Sequence, residues 1–321
     1  MNSSIDPRIE LLSIAQYLSK YGDLFPLVTK HKSEYTTVID EHFGKYNKHP
    51  FVEMNYIIGQ KGFCFDAPIA GILETDLDIN AEKLFWCGIV SDYVSERIDD
   101  NFSFKEYISL ANDFIYETKF CSFYKSKQNQ YTSINKNYEE TFNNIKCDEQ
   151  LYEYYKYKKG NAVLYLAPLL RGYFSITKKN VLVSVIGLDG QLTNTFLSID
   201  LMNELLWHEL SHSYINPLTK KHINDVMEKE KLFFKISEKM KEQYYGNWEC
   251  CVNEHIIRAI VCKFMQKYYG KDKYLKCIEE EIKNGFIYLN DVLFVLNNYE
   301  KKNNISFNEL YPDIIMKIGE A

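Results

Sequence analysis

The stretch Leu205-Leu206-Trp207-His208-Glu209-Leu210-Ser211-His212 contains the pattern His-Glu-x-x-His. In a helix, positions i and i+4 lie one turn apart on the same face, so both imidazoles can reach one metal ion. Glu209 follows the first histidine and can lean over the open side of that ion, where it can take a proton from a water. Zinc binds two imidazoles and one carboxylate and leaves its fourth position to water. The spacing therefore predicts a zinc site with His208 and His212 as ligands and Glu209 as general base.

The residues around this motif predict a helix from Phe196 to Tyr214, because apolar residues recur at helical spacing. Ser198 or Asp200 can cap its start. We expect Asn216-Pro217 to end the helix, since the residue before a proline avoids the α region. Two histidines and a glutamate are costly to bury in a mostly apolar helix unless they bind something. The alternative is a surface helix that carries the motif by accident.

A second apolar helix, from Trp248 to about Tyr268, contains a candidate for the third ligand. Glu254 has apolar neighbours at helical spacing, and a site with two histidines and one glutamate needs a carboxylate from a second helix. Arg258 lies one turn later and can hold Glu254 from behind, although the two can also form a plain surface pair. Glu249 and His255 remain alternative ligands. His255 is the weaker of them, because an adjacent helical position points about 100° away.

Three separate segments resemble the domain-of-unknown-function family 4932, whose bacterial members are regarded as candidate zinc metallopeptidases. His208 to Pro217 is similar to the family signature HExxH(S)xxNP, which includes Asn216, and Asp6 to Leu11 is similar to the start of the family. Asn253 to Ala259 is similar to a third family segment. The resemblance implies a gluzincin-like site with Glu254 as third ligand. Many members carry an export signal, and this chain departs from that pattern.

The composition is that of an ordinary soluble globular protein, with 321 residues, 46% hydrophobic and 26% charged. A net charge of −6 argues against a nucleic-acid-binding surface. No apolar run approaches the length of a membrane span. The first six residues lack the basic start and apolar core of a signal peptide. We therefore expect a cytoplasmic protein, or a secreted one whose leader was removed.

The cysteines do not predict a structural zinc site, because no C-x-x-C pair occurs. With no visible export signal, buried free thiols are favoured over disulfides. The cysteines stand at positions 64, 87, 121, 147, 250, 251, 262 and 277.

The pattern of the whole chain predicts an α+β fold that is mostly α. We expect helices at 7–21, 32–46, 50–60, 81–99, 104–145, 147–159, 196–214, 218–245, 248–269, 272–284, 288–299 and 306–318, and a loop with a short helix at 62–80. We expect strands at 162–166, 173–177 and 181–187, with a turn at 178–180. A small sheet that precedes the His-Glu-x-x-His helix is typical of zincin-like folds. By that likeness, one strand edge can hold an extended peptide.

We expect a single metallopeptidase-like unit over residues 1–321. Residues 1–159 would form its helical N-terminal part, and residues 160–321 would hold the sheet and the zinc-site helices. We expect a cleft between the His-Glu-x-x-His helix and the Glu254 helix.

The function predicted from these residues is that of a zinc-dependent metallopeptidase that acts on a peptide or protein substrate. Glu209 would act first as general base and then as general acid. The developing oxyanion needs a further donor, and the candidates between the motifs are His222, Tyr244 and Tyr245. Two alternatives stay open: a non-catalytic peptide-binding protein on a zincin scaffold, and a zinc amidase. Glu209 favours an enzyme, because a structural site has no use for a base.

Overall fold

A computed structural model describes residues 2–99, 101–142, 146–178, 181–192, 198–301 and 305–320. The chain forms two compact units. The first unit comprises residues 1–144, 163–176 and 183–196, and the second comprises residues 145–162, 177–182 and 197–321. The predicted single unit over residues 1–321 stays a prediction, because the compactness of two parts does not decide whether they act together. The predicted class, α+β and mostly α, is confirmed.

The helices of the first unit are close to the predicted ones at 7–21, 32–46, 50–60 and 104–145. They are α1 (Pro7–Leu18), α2 (Tyr21–Leu24), α3 (Glu34–Phe43), α4 (Pro50–Gln60), α5 (Ala67–Ile72), α6 (Asp92–Ser95), α7 (Phe104–Thr118), α8 (Phe120–Ser126) and α9 (Gln128–Phe142), with a 3-10 turn at Gly44–Tyr46. The predicted 104–145 helix is interrupted at Lys119, whose φ of 56° is left-handed and cannot continue a right-handed helix.

The predicted helix at 81–99 is wrong. The segment contains a short strand, Lys83–Phe85, which pairs with Asp76–Asp78 in antiparallel register. The carboxylate of Asp78 accepts from two backbone N–H groups of the connecting turn, and this favours the turn over a helix. The side chain of Asn112 on α7 then holds the backbone of Leu84 from both sides, accepting from its N–H and donating to its carbonyl.

A four-stranded sheet lies mostly in the first unit, with strand order β1-β4-β6-β5 and β1 parallel to β4. The three predicted strands are confirmed, whereas sequence analysis missed β1 and the hairpin β2-β3 because three-residue strands show no usable alternation. The strands are β1 (Asn2–Ser4), β2 (Asp76–Asp78), β3 (Lys83–Phe85), β4 (Asn161–Ala167), β5 (Tyr173–Lys178) and β6 (Val181–Gly187). Most of the predicted turn at 178–180 lies outside the described residues. The edge strands are β1 and β5, and peptide pairing on one of them stays a prediction.

The helices of the second unit surround one central helix, α14. They are α10 (Cys147–Tyr155), α11 (Ile199–Lys221), α12 (Ile223–Glu228), α13 (Ser237–Glu242), α14 (Trp248–Tyr269), α15 (Lys271–Lys283), α16 (Leu289–Tyr299) and α17 (Phe307–Lys317), with a 3-10 turn at Glu230–Lys235. Helix α14 packs against α11, α12, α15 and α16 and is buried on nearly all faces. Helix α14 therefore lies in the core of this unit, although it contains charged residues such as Glu254 and Arg258. Within the described residues, no helix is both long and apolar enough to cross a membrane.

Helix α11 continues to Lys221, so the predicted end at Asn216-Pro217 is wrong. Pro217 removes one backbone donor from the helix, but tertiary contacts hold the turn that follows it. The Thr219 hydroxyl is fully buried and bonds to the side chains of Asn253 and Tyr311. At the other end, residues 196–197 lie outside the described residues, and Ser198 caps the helix without a side-chain hydrogen bond.

Aromatic contacts fix the rotation of α11 about its axis. The Trp207 ring packs on Phe264, at a centroid distance of 5.0 Å, and its Nε1 donates to Gln150 at 2.7 Å. Seven residues later, Tyr214 stacks face to face on Tyr155 with ring centroids 4.2 Å apart. Because positions i and i+7 share a helix face, these contacts anchor one side of α11 and set the direction of its histidines.

The first unit contains a fully buried carboxyl group, Glu10 on α1. Its Oε1 accepts from the Tyr35 hydroxyl, which also contacts the Tyr131 hydroxyl at 2.7 Å. Its Oε2 has no hydrogen-bond partner among the described residues. Burial raises the pKa of Glu10 from 4.5 to about 7, against a smaller lowering by the Tyr35 hydrogen bond. Glu10 is therefore a buried acid that the fold prefers to keep protonated.

We expect Glu10 to make the protein less stable as the pH rises from 4.5 to 7. A pKa raised on folding means that the folded state binds more protons in this window, so the contribution is complete below pH 4.5 and lost above pH 7. At about 1.4 kcal/mol per pKa unit, the loss is roughly 3 kcal/mol. The measurement is the free energy of unfolding in denaturant as a function of pH. Glu10→Gln should flatten the curve, whereas Glu53→Gln, an exposed control on α4, should keep its slope. A Glu10→Gln curve as steep as that of the wild type would contradict this.

Candidate metal centre

Three side chains of the second unit converge on one point. Helix α11 presents His208 and His212, whose Nε2 atoms lie 3.3 Å apart. Helix α14 presents Glu254, whose Oε2 is 3.5 Å from Nε2 of His208 and whose Oε1 is 3.4 Å from Nε2 of His212. Their possible ligand atoms all lie within 4.8 Å of one another. Among the residues that the structure describes, this group could hold a metal ion.

The protonation states of the group suit a metal ion. Burial lowers the pKa of His208 to about 3, so its imidazole is neutral at physiological pH. Burial opposes the charged form of Glu254, but attraction to His208, Arg258 and His212 lowers the pKa of its carboxyl to about 2. At neutral pH, where His208 carries no charge, the Arg258 cation remains to hold Glu254 ionised. Metal ligands must be neutral imidazoles and ionised carboxylates.

Arg258 holds Glu254 from behind, and the predicted pairing of these two residues is confirmed. Its Nε donates to Oε2 of Glu254 at 3.1 Å. Its Nη1 donates to both carboxylate oxygens of Glu281 on α15 at 2.8 Å, and its Nη2 donates to the Tyr245 hydroxyl at 3.2 Å. The guanidinium also lies over the Phe286 ring, 4.2 Å from its centroid. A planar guanidinium with contacts on all sides leaves Glu254 little freedom to rotate.

Asn216 orients the second histidine. Its Oδ1 lies 3.3 Å from Nδ1 of His212, one helical turn away. An amide oxygen accepts a hydrogen bond, so this contact places the imidazole proton on Nδ1 and leaves the lone pair of Nε2 towards the cluster. This contact requires Asn216 to lie within the helix. The continuation of α11 through Pro217 therefore helps to orient His212.

Glu209 and Tyr245 lie beside the cluster. Glu209 is buried, with 8% of its surface exposed. Burial raises the pKa of the Tyr245 hydroxyl, and the carboxylates of Glu254 and Glu209 raise it further. Both carboxylates therefore lie within electrostatic reach of this hydroxyl, which stays protonated at physiological pH. Tyr245 was one of several sequence candidates, and its contact with Arg258 distinguishes it from the others.

The alternative third ligands lie elsewhere. The Nδ1 atom of His255 donates to the Cys251 carbonyl at 2.6 Å, and its ring packs on Phe286. Glu249 lies in the first turn of α14, near Tyr311, and its charge contributes to raising the pKa of that tyrosine behind the larger effect of burial. Neither residue belongs to the group that could hold a metal ion.

Two further candidates do not join the cluster. His222 follows His212 by ten residues, about 15 Å along a helix, and contacts Asp225 at 3.3 Å while it stacks on Tyr311. Tyr244 has 54% of its surface exposed. Sequence analysis missed Glu281 and Phe286, because only the packing of α15 and the following turn against α14 brings them to Arg258.

The donor set fits a divalent cation on physical grounds. The two Nε2 atoms and the carboxylate face one another at 3.3–3.5 Å, and such a group of acceptors is stable only with a positive charge or protons between them. The low pKa of His208 disfavours a second proton on that ring. A metal ion satisfies all three groups at once.

The family model described as Domain of unknown function (DUF4932) matches residues 1–317. No curated protein and no solved structure matches the chain significantly.

We expect Glu254→Gln to weaken divalent-metal binding strongly, because an amide oxygen is a much poorer ligand than a carboxylate. Arg258→Ala should weaken it by about 10–100-fold, since it frees Glu254 to rotate. The measurement is calorimetric titration of the metal-free protein, with circular dichroism to confirm folding. Glu249→Gln is the matched control on the same helix and should bind like the wild type. Full binding in Glu254→Gln would overturn the assignment of Glu254, and loss of binding in Glu249→Gln would favour Glu249 in its place.

Proposed function

This chain belongs to the DUF4932 family, and we propose that it is a zinc-dependent metallopeptidase. The observation that carries the proposal is the convergence of His208, His212 and Glu254, with the buried carboxyl group of Glu209 next to the first histidine. Two histidines and a glutamate are the ligand set of a catalytic zinc site, which keeps one position open. Sites that only stabilise a fold are usually closed by four protein ligands.

Zinc held by these three residues would polarise a scissile carbonyl and make a water acidic near neutral pH. Glu209 takes the proton from the attacking water as general base. It then returns this proton to the leaving amine as general acid, so that the residue ends the cycle in its starting state. Its burial leaves little bulk water to compete with the reacting groups for this carboxyl group.

Tyr245 is the proposed donor to the oxyanion that develops on the substrate. Its oxygen accepts from Nη2 of Arg258 at 3.2 Å, which leaves its own proton available for donation. Burial and the nearby carboxylates keep that proton in place at physiological pH. A preorganised donor of this kind stabilises a transition state more than a ground state.

Access to the centre supports a catalytic role over a structural one. The side chains of His208 and His212 are 17% and 19% exposed, whereas that of Glu254 is 5% exposed. The histidine side chains are therefore partly accessible to solvent, while the carboxylate is held within the protein. A purely structural site has no use for Glu209.

We expect the purified protein to hold about one zinc ion per chain. His208→Ala or His212→Ala should abolish binding, because either change leaves only two ligands. The measurement is elemental analysis by mass spectrometry after dialysis. The matched control is His222→Ala, because His222 lies ten residues after His212, about 15 Å along a helix. This variant should keep its zinc. Full zinc content in the His208→Ala or the His212→Ala protein would contradict the proposed site.

We expect Glu209→Gln to keep its zinc but to lose about 10²–10⁴-fold in turnover, because an amide has nearly the same shape as a carboxylate and cannot take up a proton at neutral pH. The measurement is digestion of a peptide library, followed by kinetics on the best peptide. Glu242→Gln, an exposed change on α13, should retain full activity. Unchanged turnover in Glu209→Gln would rule out its role as base. Cleavage of small amides without cleavage of any peptide would favour the amidase, and zinc binding without hydrolysis would favour the binding protein.

A further inference from the structure

Two cysteines on neighbouring helices of the second unit lie in direct contact. The Sγ atom of Cys262 on α14 is 2.7 Å from the Sγ atom of Cys277 on α15. Both thiols are free and buried, with 0% of Cys262 and 6% of Cys277 exposed. The predicted burial of free thiols is confirmed for this pair and is wrong for Cys87 and Cys250, which are free but exposed. Sequence analysis had no means to place two cysteines from different helices side by side.

The contact follows from how α14 and α15 are joined. Gly270 alone separates the two helices, with a φ of 91° that favours glycine, and the chain reverses there. In this hairpin the Arg258–Glu281 ion pair forms one connection between the helices. Cys262 lies four residues after Arg258, and Cys277 lies four residues before Glu281. The thiol pair is therefore the next contact between the two helices, one turn nearer to Gly270.

We propose that Cys262 and Cys277 are an oxidisable dithiol that forms an intramolecular disulfide by exchange with a small-molecule disulfide. This inference does not depend on a peptidase activity, since neither cysteine belongs to the group that could hold a metal ion. It assigns a site of covalent modification to a pair of residues in the helical core.

The exchange is balanced without any further reactant. Cys277, the more exposed thiol, loses its proton, and its thiolate attacks one sulfur of the small-molecule disulfide. An S–S bond forms on Cys277, and one small thiolate leaves. Cys262 then loses its proton and attacks Sγ of Cys277, which releases the second small thiolate. The two cysteines are oxidised, the small disulfide is reduced to two thiols, and these take up the two protons.

The fold requires little adjustment for this bond. The sulfur atoms must move from 2.7 Å to about 2.05 Å, a change that rotation of the side chains can supply. The hydrogen bond to Cys277 and burial raise the pKa of the Cys262 thiol. Cys262 is therefore slow to attack the small-molecule disulfide. It lies in contact with Cys277, however, and can attack that sulfur in the second step. Cys277 is therefore the entry point, and Cys262 is the resolving thiol.

The test uses the full-length wild-type protein, incubated with oxidised glutathione, then alkylated and mapped by mass spectrometry. The expected result is one disulfide between Cys262 and Cys277, with the loss of two hydrogen atoms. The thermal midpoint should rise by about 4–5 °C, because a closed loop of about fifteen residues restricts the unfolded chain. A dithiol reagent should reverse both changes. Complete alkylation of both cysteines after incubation, or a disulfide between other cysteines, would overturn the proposal.

Single variants separate the two roles. Cys262→Ser should accumulate glutathione on Cys277, because the resolving thiol is missing, whereas Cys277→Ser should accumulate none on Cys262. Cys87→Ser, a change at an exposed cysteine, is the control and should still form the 262–277 disulfide. Glutathione on Cys262 in the Cys277→Ser protein would contradict the assigned order. The wild-type map decides the proposal even where a variant fails to fold.

Discussion

The candidate centre depends on the ionisation of one buried carboxylate, that of Glu254. An ionised side chain that is only 5% exposed is unfavourable unless it is paired and hydrogen-bonded. Arg258 provides both on the same helix, and its Nη1 and Nη2 in turn donate to Glu281 and Tyr245. Removing Arg258 would leave the buried Glu254 and the partly buried Glu281 without the cation that they share. The ion pair therefore keeps Glu254 ionised and also fixes the position of its carboxylate oxygens.

The packing of the second unit supports that arrangement. Helix α14 is surrounded by α11, α12, α15 and α16, so a residue on α14 can face a different helix at each turn. Glu254 faces the histidines of α11, and Arg258 reaches α15. Such positions are rigid because dense packing permits only small movements. A centre built on helices in a core is held more precisely than one built on loops.

The parts of the centre that follow local spacing could be predicted from sequence. His208 and His212, and likewise Glu254 and Arg258, are four residues apart, and helical geometry alone brings each pair together. That the two pairs lie next to each other could only be a hypothesis from sequence. Glu254 lies 42 residues after His212, and no local rule spans that distance. Glu281 has no local relation to Arg258 and could not be found.

The short range of sequence signals also explains which elements of the fold were predicted and which were missed. Long helices and β-branched strands were predicted well, because their signals lie within a few residues of one another. The end of α11 and the strand β3 were not, because Thr219 and Asn112 decide them through distant partners.

The separation of the donors along the chain has a thermodynamic consequence. His208 and His212 lie on α11, and Glu254 lies on α14, so an unfolded chain cannot offer all three groups at one point. An ion that needs the complete set binds the native conformation and not the denatured one. By mass action, each tenfold rise in free ion above the dissociation constant then adds about 1.4 kcal/mol to the free energy of unfolding. With such an ion bound, the free energy of unfolding of the helices that form the centre would depend on the ion, and chelation would lower it.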